Sequence, residues 1–503
     1  MKKIFAILAT ITLLMSCSHS ENAETPETKP QTNPEEVVNF YFTAPYLTLK
    51  AGESATLHIR YKGNDYDLAT NVAEMLFTSS DKSVASVDDK GKVTAVAPGK
   101  ATISVNSSNN ETEKIAVVVR DNGFIAYSNP TGEKLPVMGW FSLRPPYMTT
   151  EKYKEMADAG FNISFSHVWT RAENLAALKA AEGTGVKLLM MDLDNNRNNL
   201  ADIATTYKGY SSFAGYWLYD EPSVKLFSDI ATWNSEIRKI DTSNLTYVNL
   251  FPDYASATAM GAANYEEYFT KAIDQLGVNF ISFDYYPIVN GALRTSFYPC
   301  LETVKRLSDS RGLPFWAFAM SVLHRSYSTP TEANLKFEIY SALAYGAQGI
   351  QYFTYVTPVA DGTDTFGIAP IDENGNKTAV YDYAKTVNTE LSALSKYFLG
   401  SFSVSRMFTG TIAYSMKDEK YDAAKLPGNV TSVSSDGDGL LISHLCNGER
   451  EYMMLVNRSF TKSQNVKIAF DGTLKRINSD GTVTDAETDV IIKPGDMLLY
   501  LTR

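Results

Sequence analysis

The sequence predicts a multidomain chain in which a (β/α)8 barrel of the TIM type stands between two β-sandwiches. Three observations lead there. Short runs with apolar residues at every second position fill residues 38–121. Strands that are apolar throughout alternate with amphipathic helical stretches over residues 122–398, and short alternating strands return over residues 399–503. At 503 residues and 44% hydrophobic content, the chain carries enough apolar side chain for several ordinary cores.

At the N-terminus Lys2 and Lys3 precede the apolar run IFAILATITLL, which is too short to span a bilayer and is flanked as an export signal is. Leu14-Met15-Ser16-Cys17 follows and resembles the bacterial lipobox. That resemblance implies cleavage before Cys17, lipidation of its thiol and anchoring to the bacterial cell envelope, with the outer membrane expected. Residues 1–17 are therefore read as a lipoprotein signal peptide. Residues 18–37 are polar and rich in Pro, Thr and Glu; they cannot bury enough surface to order themselves and read as a flexible linker.

Residues 38–121 hold ATLHIRY, KVTAV, ATISV and KIAVVV, separated by turn signals such as DDKGK and APGK. Period-two alternation at this spacing predicts a small sandwich. The run SSDKSVASVDDKGKVTAVAPGKATISV, Ser79 to Val105, resembles group 2 bacterial Ig-like domains, which implies a spacer or adhesive module without chemistry of its own.

In residues 122–398 the strands read LPVMGWFSL, ISFSHVW, VKLLMMDLD, FAGYWLYDEP, LTYVNLFP, VNFISFDYYPI, LPFWAFAMS and QGIQYFTYV. Strands without a polar face are buried on both sides, as in a parallel sheet sheathed by helices. Eight such strands with helices between them fit a closed barrel. An open doubly wound sheet would announce a Gly-rich loop after its first strand, and GWFSLRPP has none.

The reactive face of such a barrel is where strands end. Those positions bring Trp140 and Arg144, His167 and Trp169, Asp192 and Asp194, Asp220 and Glu221, Asn249 and Asp253, Asp284, Tyr285 and Tyr286, His324, and finally Tyr352 and Tyr355. A ring of acids, aromatics and amides suits a carbohydrate: ring faces pack on the C–H faces of a sugar while carboxylates and amides bond its hydroxyls. Trp140, His167, Trp169, Asn249, Tyr286, His324, Tyr352 and Tyr355 are the expected substrate contacts, although any one Trp in a barrel can equally belong to the core. Formal charge of −11 and a pI near 5.2, with no basic patch, argue against nucleic-acid partners. No zinc-ligand spacing, EF-hand period or nucleotide loop occurs, so no metal or cofactor is expected. Cys300 and Cys446 fall in different predicted domains and are expected to be free, buried thiols.

Hydrolysis of a glycosidic bond needs one carboxylic acid to protonate the leaving oxygen and a second carboxylate to stabilise or attack the cationic sugar or to activate water. A neighbouring negative charge and partial burial keep the first protonated near neutral pH. The tetrad Tyr219-Asp220-Glu221-Pro222 on the fourth strand resembles the acid/base position of large retaining barrel glycosidases, which carry -Asn-Glu-Pro- there. The resemblance makes Glu221 the proton donor and puts Asp220 where that family has a sugar-bonding Asn. The competing reading is that these acids cap the helix that follows. The seventh strand, PFWAFAMSVLHRS, lacks the nucleophilic Glu of those enzymes. Asp284 in FISFDYYPI is the preferred second carboxylate, because an acid inside an apolar strand is costly unless it is used or paired. Asp220-Glu221 also resembles the Asp-Glu dyad of substrate-assisted hexosaminidases, in which Tyr285 or Tyr286 would bond the substrate's acetamido group. The run from Ala344 to Asn388 is similar to the last strand and helix of barrel β-galactosidases, and the final strands resemble the C-terminal sandwich of many barrel glycosidases. Together these imply an envelope-anchored glycoside hydrolase with a carbohydrate substrate. A non-catalytic glycan-binding lipoprotein on a barrel scaffold is the rival from another class.

Overall fold

The computed structural model describes residues 40–61, 63–66, 75–107, 110–121, 123–166, 168, 170–191, 199–359 and 364–503. The signal, the linker and the lipidation position Cys17 lie outside the described residues, as do His167, Trp169, Asp192 and Asp194. Among the described residues no helix is long and apolar enough to cross a membrane.

The N-terminal segment folds as β-sheets. One has the order Tyr46–Lys50, Thr112–Arg120, Gly99–Ser107, Met75–Ser79, and a three-stranded sheet pairs Ser54–Thr56, Lys92–Ala95 and Ala85–Val87. The alternation seen in the sequence is the physical cause: along Gly99–Ser107, Ala101, Ile103 and Val105 point into a core with Phe40, Ile59, Val93 and Val117. A third small sheet, Phe40–Phe42 with Ile59–Tyr61 and Asn64–Asp65, carries Arg60, whose side chain is fully buried. Its guanidinium bonds Asp65, Glu449 and Glu451 at 2.9, 2.6 and 2.9 Å. Glu451, equally buried, also accepts from Tyr41 Oη at 2.9 and 2.8 Å and stands 3.0 Å from His444 Nε2. The first module is thus bolted to the C-terminal sandwich by a buried ion pair, a firmer attachment than its resemblance to a spacer implies.

The middle of the chain is a closed barrel of eight parallel strands: β1 (Val137–Trp140), β2 (Ile163–Phe165), β3 (Lys187–Met190), β4 (Phe213–Asp220), β5 (Leu245–Leu250), β6 (Ile281–Phe283), β7 (Phe315–Met320) and β8 (Ile350–Phe353), with β8 pairing back onto β1. Helices cover it. Their starts are set by residues that cap: Thr149, Thr170, Asn264, Thr331 and Thr378 each accept a backbone N–H of the first turn. Large rings fill the interior, with Trp140 against Phe165, Tyr247 and Phe318 at centroid distances of 4.5, 5.6 and 5.4 Å. Residues after Gly400 form a six-stranded sheet, order Phe402–Phe408, Leu440–Asn447, Arg450–Asn457, Met497–Leu501, Lys475–Ile477, Val483–Asp485, and a three-stranded sheet of Val430–Ser435, Gln464–Phe470 and Asp489–Ile492. Cys300 and Cys446 are free and buried.

Candidate active site

Strand β4 is irregular where the acids emerge. Its register slips against β3 at Leu188/Leu189 and against β5 between Trp217 and Tyr219. Gly215 lets β4 approach β5 closely, since a Cβ there would meet Leu245 O at 2.3 Å. Such bulges re-aim side chains at strand ends. Asp220 pairs with Asn249, and Glu221, at φ +47°, donates its N–H to Asn249 O at 2.9 Å. A non-glycine residue in the left-handed region costs about 1–3 kcal/mol, and such residues gather at functional sites. The following residue is tied down as well, Tyr268 Oη donating to Pro222 O at 3.0 Å. The helix-capping alternative is answered directly. Ser223, not either acid, accepts the N–H of Lys225 and caps the turn Val224–Leu226.

Three carboxyls converge at the C-terminal mouth. Asn249 Nδ2 reaches Asp220 Oδ1 at 3.1 Å and Asp284 Oδ1 at 3.3 Å. Asp284, buried at the end of β6, lies near enough to Glu221 for the two carboxyls to act on each other. Their like charges oppose each other, so ionising both is costly. Burial, then the charges of Glu221 and Asp220, push the Asp284 carboxyl well above the usual carboxylate range. Glu221 rises to about 7, through burial first and the Asp220 charge second, against a lowering by the Asp284 hydrogen bond. Asp220 is the open member of the trio, yet protein atoms crowd it on its inner side and raise it to about 6. A floor of polar groups holds the trio from below. Ser282 Oγ donates to Asn249 Oδ1 at 2.9 Å, Gln351 Nε2 donates to Ser282 Oγ at 2.9 Å, and Tyr247 Oη donates to Gln351 Oε1 at 2.6 Å. Each is buried and satisfied, which fixes Asn249 and therefore the spacing of the acids.

Of the expected sugar contacts, Asn249, Tyr286 and His324 stand at this mouth. Burial first, then the nearby charges of Asp284, Asp220 and Glu221, raise the Tyr286 hydroxyl, and its ring packs on Tyr327 and Phe353. His324 stacks on Phe366, centroids 4.4 Å apart, and burial lowers its pKa, so the ring is neutral at neutral pH. Three expectations are corrected. Trp140 is 3% exposed and belongs to the barrel core. Tyr352 turns outward, its Oη donating to Asn388 on the helix Ala379–Phe398. Tyr355 is fully buried against Phe161. In each case the strand end was located correctly, but the side chain points to the helix layer or the interior. Tyr247, Ser282 and Gln351 were missed. A polar residue inside LTYVNL, FISF or GIQYF is as costly as the Asp in FISFD unless partnered, and that signal was available. Among the described residues no cluster of His, Cys, Asp and Glu could hold a metal ion.

Residues 37–118 match the family model of the bacterial Ig-like domain (group 2). A 90-residue stretch is 36% identical to lacto-N-biosidase of Bifidobacterium bifidum; it covers 18% of this chain, and the chain spans only 8% of the length of that curated relative. Among solved structures, a β-galactosidase from Bacillus circulans sp. alkalophilus superposes with a TM-score of 0.53 at 8% identity, covering 74% of this chain and 99% of its own. A catalytic mutant of a GH42 β-galactosidase from G. stearothermophilus gives 0.52 at 8% identity, over 75% and 100%. At such identity the likeness is one of fold. The chain accordingly combines a group 2 bacterial Ig-like domain with an eight-stranded barrel of the architecture found in β-galactosidases.

Proposed function

We propose that the protein is a glycoside hydrolase whose general acid is Glu221. The observation that carries this reading is the meeting of Asp220, Glu221 and Asp284 at the barrel mouth, with Glu221 raised to about 7. A carboxyl with that pKa is protonated in about half the molecules at neutral pH, which suits an acid that must give up its proton in the transition state. The Glu221 O–H protonates the glycosidic oxygen as the bond to the anomeric carbon breaks. Asp284 lies near enough for its charge and that of Glu221 to act on each other, and burial holds its carboxyl protonated. Its part in this scheme is to share and return the Glu221 proton. The second carboxylate is then Asp220, the most acidic of the three and ionised at neutral pH; it stabilises the cationic sugar or deprotonates the incoming water.

A substrate-assisted variant draws support from the same geometry. No carboxylate ends β7, whose last residue is Met320, and Tyr286 stands beside the dyad. A 2-acetamido sugar would then supply the nucleophilic oxygen, oriented by Asp220. Export and lipid attachment at Cys17 belong to the same proposal and rest on the leader sequence. The deciding experiment is release of reducing sugar from a panel of neutral, acidic and 2-acetamido oligosaccharides by the wild type and by Glu221→Gln. Turnover by the wild type alone supports the proposal. Equal turnover by both, or by neither, overturns it.

A further inference from the structure

Beside the mouth lies a cavity of about 270 Å3, between the segment that follows β6 and the C-terminal sandwich. Leu293, Arg294 and Tyr298 line it from the barrel side, and Phe408, Ile412 and Arg458 from the sandwich side. Ligand pockets run from about 300 Å3 upward, so this one has the size for a single sugar residue and not for a chain. Its lining carries two guanidinium groups and no carboxylate, in a protein with 57 acidic residues.

The two arginines are used differently. Arg458 donates from Nη1 and Nη2 to the carbonyls of Thr409 and Thr411, both at 2.7 Å, and lies over the Phe408 ring at 5.3 Å. It is part of the wall. Arg294 forms no ion pair and no side-chain hydrogen bond among the described residues, and its Nε is buried without a partner. Its guanidinium lies over Tyr254, 4.1 Å from the ring centroid. Asp253 feels its charge but stands 3.5 Å from Ser296 Oγ instead of pairing with it. A part-buried guanidinium without an anion is an expensive arrangement. A planar fork stacked on an aromatic ring, with its N–H groups free, is also the geometry that grips a carboxylate or sulfate through parallel hydrogen bonds.

Tyr254 links this fork to the acids. The charge of Asp284 reaches the Tyr254 hydroxyl, which lies 3.3 Å from that of Tyr327, and Tyr327 packs on Tyr286 at a centroid distance of 5.4 Å. The anion-reading group therefore shares the aromatic cluster of Tyr254, Tyr327 and Tyr286 with the acid site. The net charge of −11 repels an acidic polymer at long range, but salt screens that repulsion beyond about 8 Å. Local guanidinium groups then decide.

We propose that this cavity is a subsite for a sugar residue bearing an anionic group, a uronate carboxylate or a sulfate ester, gripped by Arg294. The substrates are thereby acidic glycans. This rests on the glycosidase reading above, and the test separates the two. The full chain carrying Glu221→Gln is titrated calorimetrically with three matched oligosaccharides: one containing glucuronate, one sulfated and one neutral. At low salt one acidic member binds at least about tenfold more tightly than the neutral one, and the advantage shrinks as salt is added. Which acidic member wins identifies the anion. Arg294→Gln in the same background brings the acidic affinity down towards the neutral one, and Arg294→Lys falls between, with thermal midpoints measured alongside. Equal binding of all three by the protein with Arg294 intact, or binding of none at millimolar concentration, overturns the subsite. That result leaves the glycosidase reading standing if the wild type still turns over a neutral glycan. Acid-selective binding without any turnover by the wild type keeps the subsite and sinks the glycosidase reading.

Discussion

Replacing Glu221 by Gln removes one ionisable oxygen and little else. The side chain keeps its size, and the backbone N–H keeps its bond to Asn249 O. General acid catalysis is worth about 10²–10⁴-fold, or about 3–5 kcal/mol of barrier. That loss should be selective. A sugar leaving group needs the proton, whereas a dinitrophenolate leaves without it, so kcat/KM falls by the full factor on an oligosaccharide and far less on the activated aryl glycoside. Stability should move the other way. Glu221 titrates at 4.5 when unperturbed and at about 7 in the fold. Its folded pKa is above the unfolded one, so the native state binds the proton more tightly. The resulting stabilisation is complete below pH about 4.5 and is lost as pH rises through about 7. At about 1.4 kcal/mol per pH unit, the rise from 4.5 to about 7 amounts to about 3 kcal/mol. Gln does not titrate, so this pH-dependent loss disappears from the variant. Urea unfolding of both proteins between pH 4 and 8 measures it, and a leaving-group series measures the catalytic half. A uniform loss across leaving groups would refute the acid role, and parallel stability curves would refute the buried, raised carboxyl.

Asp220→Asn removes the charge that adds to burial in raising Glu221, so the basic limb of the residual kcat/KM–pH profile should move down from about 7; a limb that stays in place contradicts the coupling. Glu451→Gln leaves buried Arg60 without its buried counter-charge and should cost about 3–5 kcal/mol in chemical denaturation, whereas a loss below about 1 kcal/mol would mean that the clamp between the first module and the last is idle. Cys17→Ser should abolish incorporation of labelled palmitate and release the protein from the membrane fraction; labelling that persists would rule out the lipidated leader.

Much of this architecture could be read from periodicity alone. The uniform apolarity of PFWAFAM required burial on both faces, and the barrel supplies it. The alternation of ATISV required one buried face, and the N-terminal sheets supply that. Asp220 and Glu221 were legible because two acids ending an apolar strand are physically expensive. Side-chain direction was less legible. Tyr352 and Tyr355 sit at a strand end, as expected, but point into the helix layer, because a shift of one residue reverses the face.

Sequence by itself determined which segments are strands, how many close the barrel, and that Asp220, Glu221 and Asp284 stand at strand ends, since hydrophobic period and the cost of burying charge are local properties. Only the tertiary structure decided that Asn249 bridges Asp220 and Asp284, that a floor of Tyr247, Ser282 and Gln351 holds Asn249, and that Arg294 is left without an anion. Those facts depend on ångström-scale approaches between residues far apart in the chain, which are fixed by strand register and by the rings that fill the barrel.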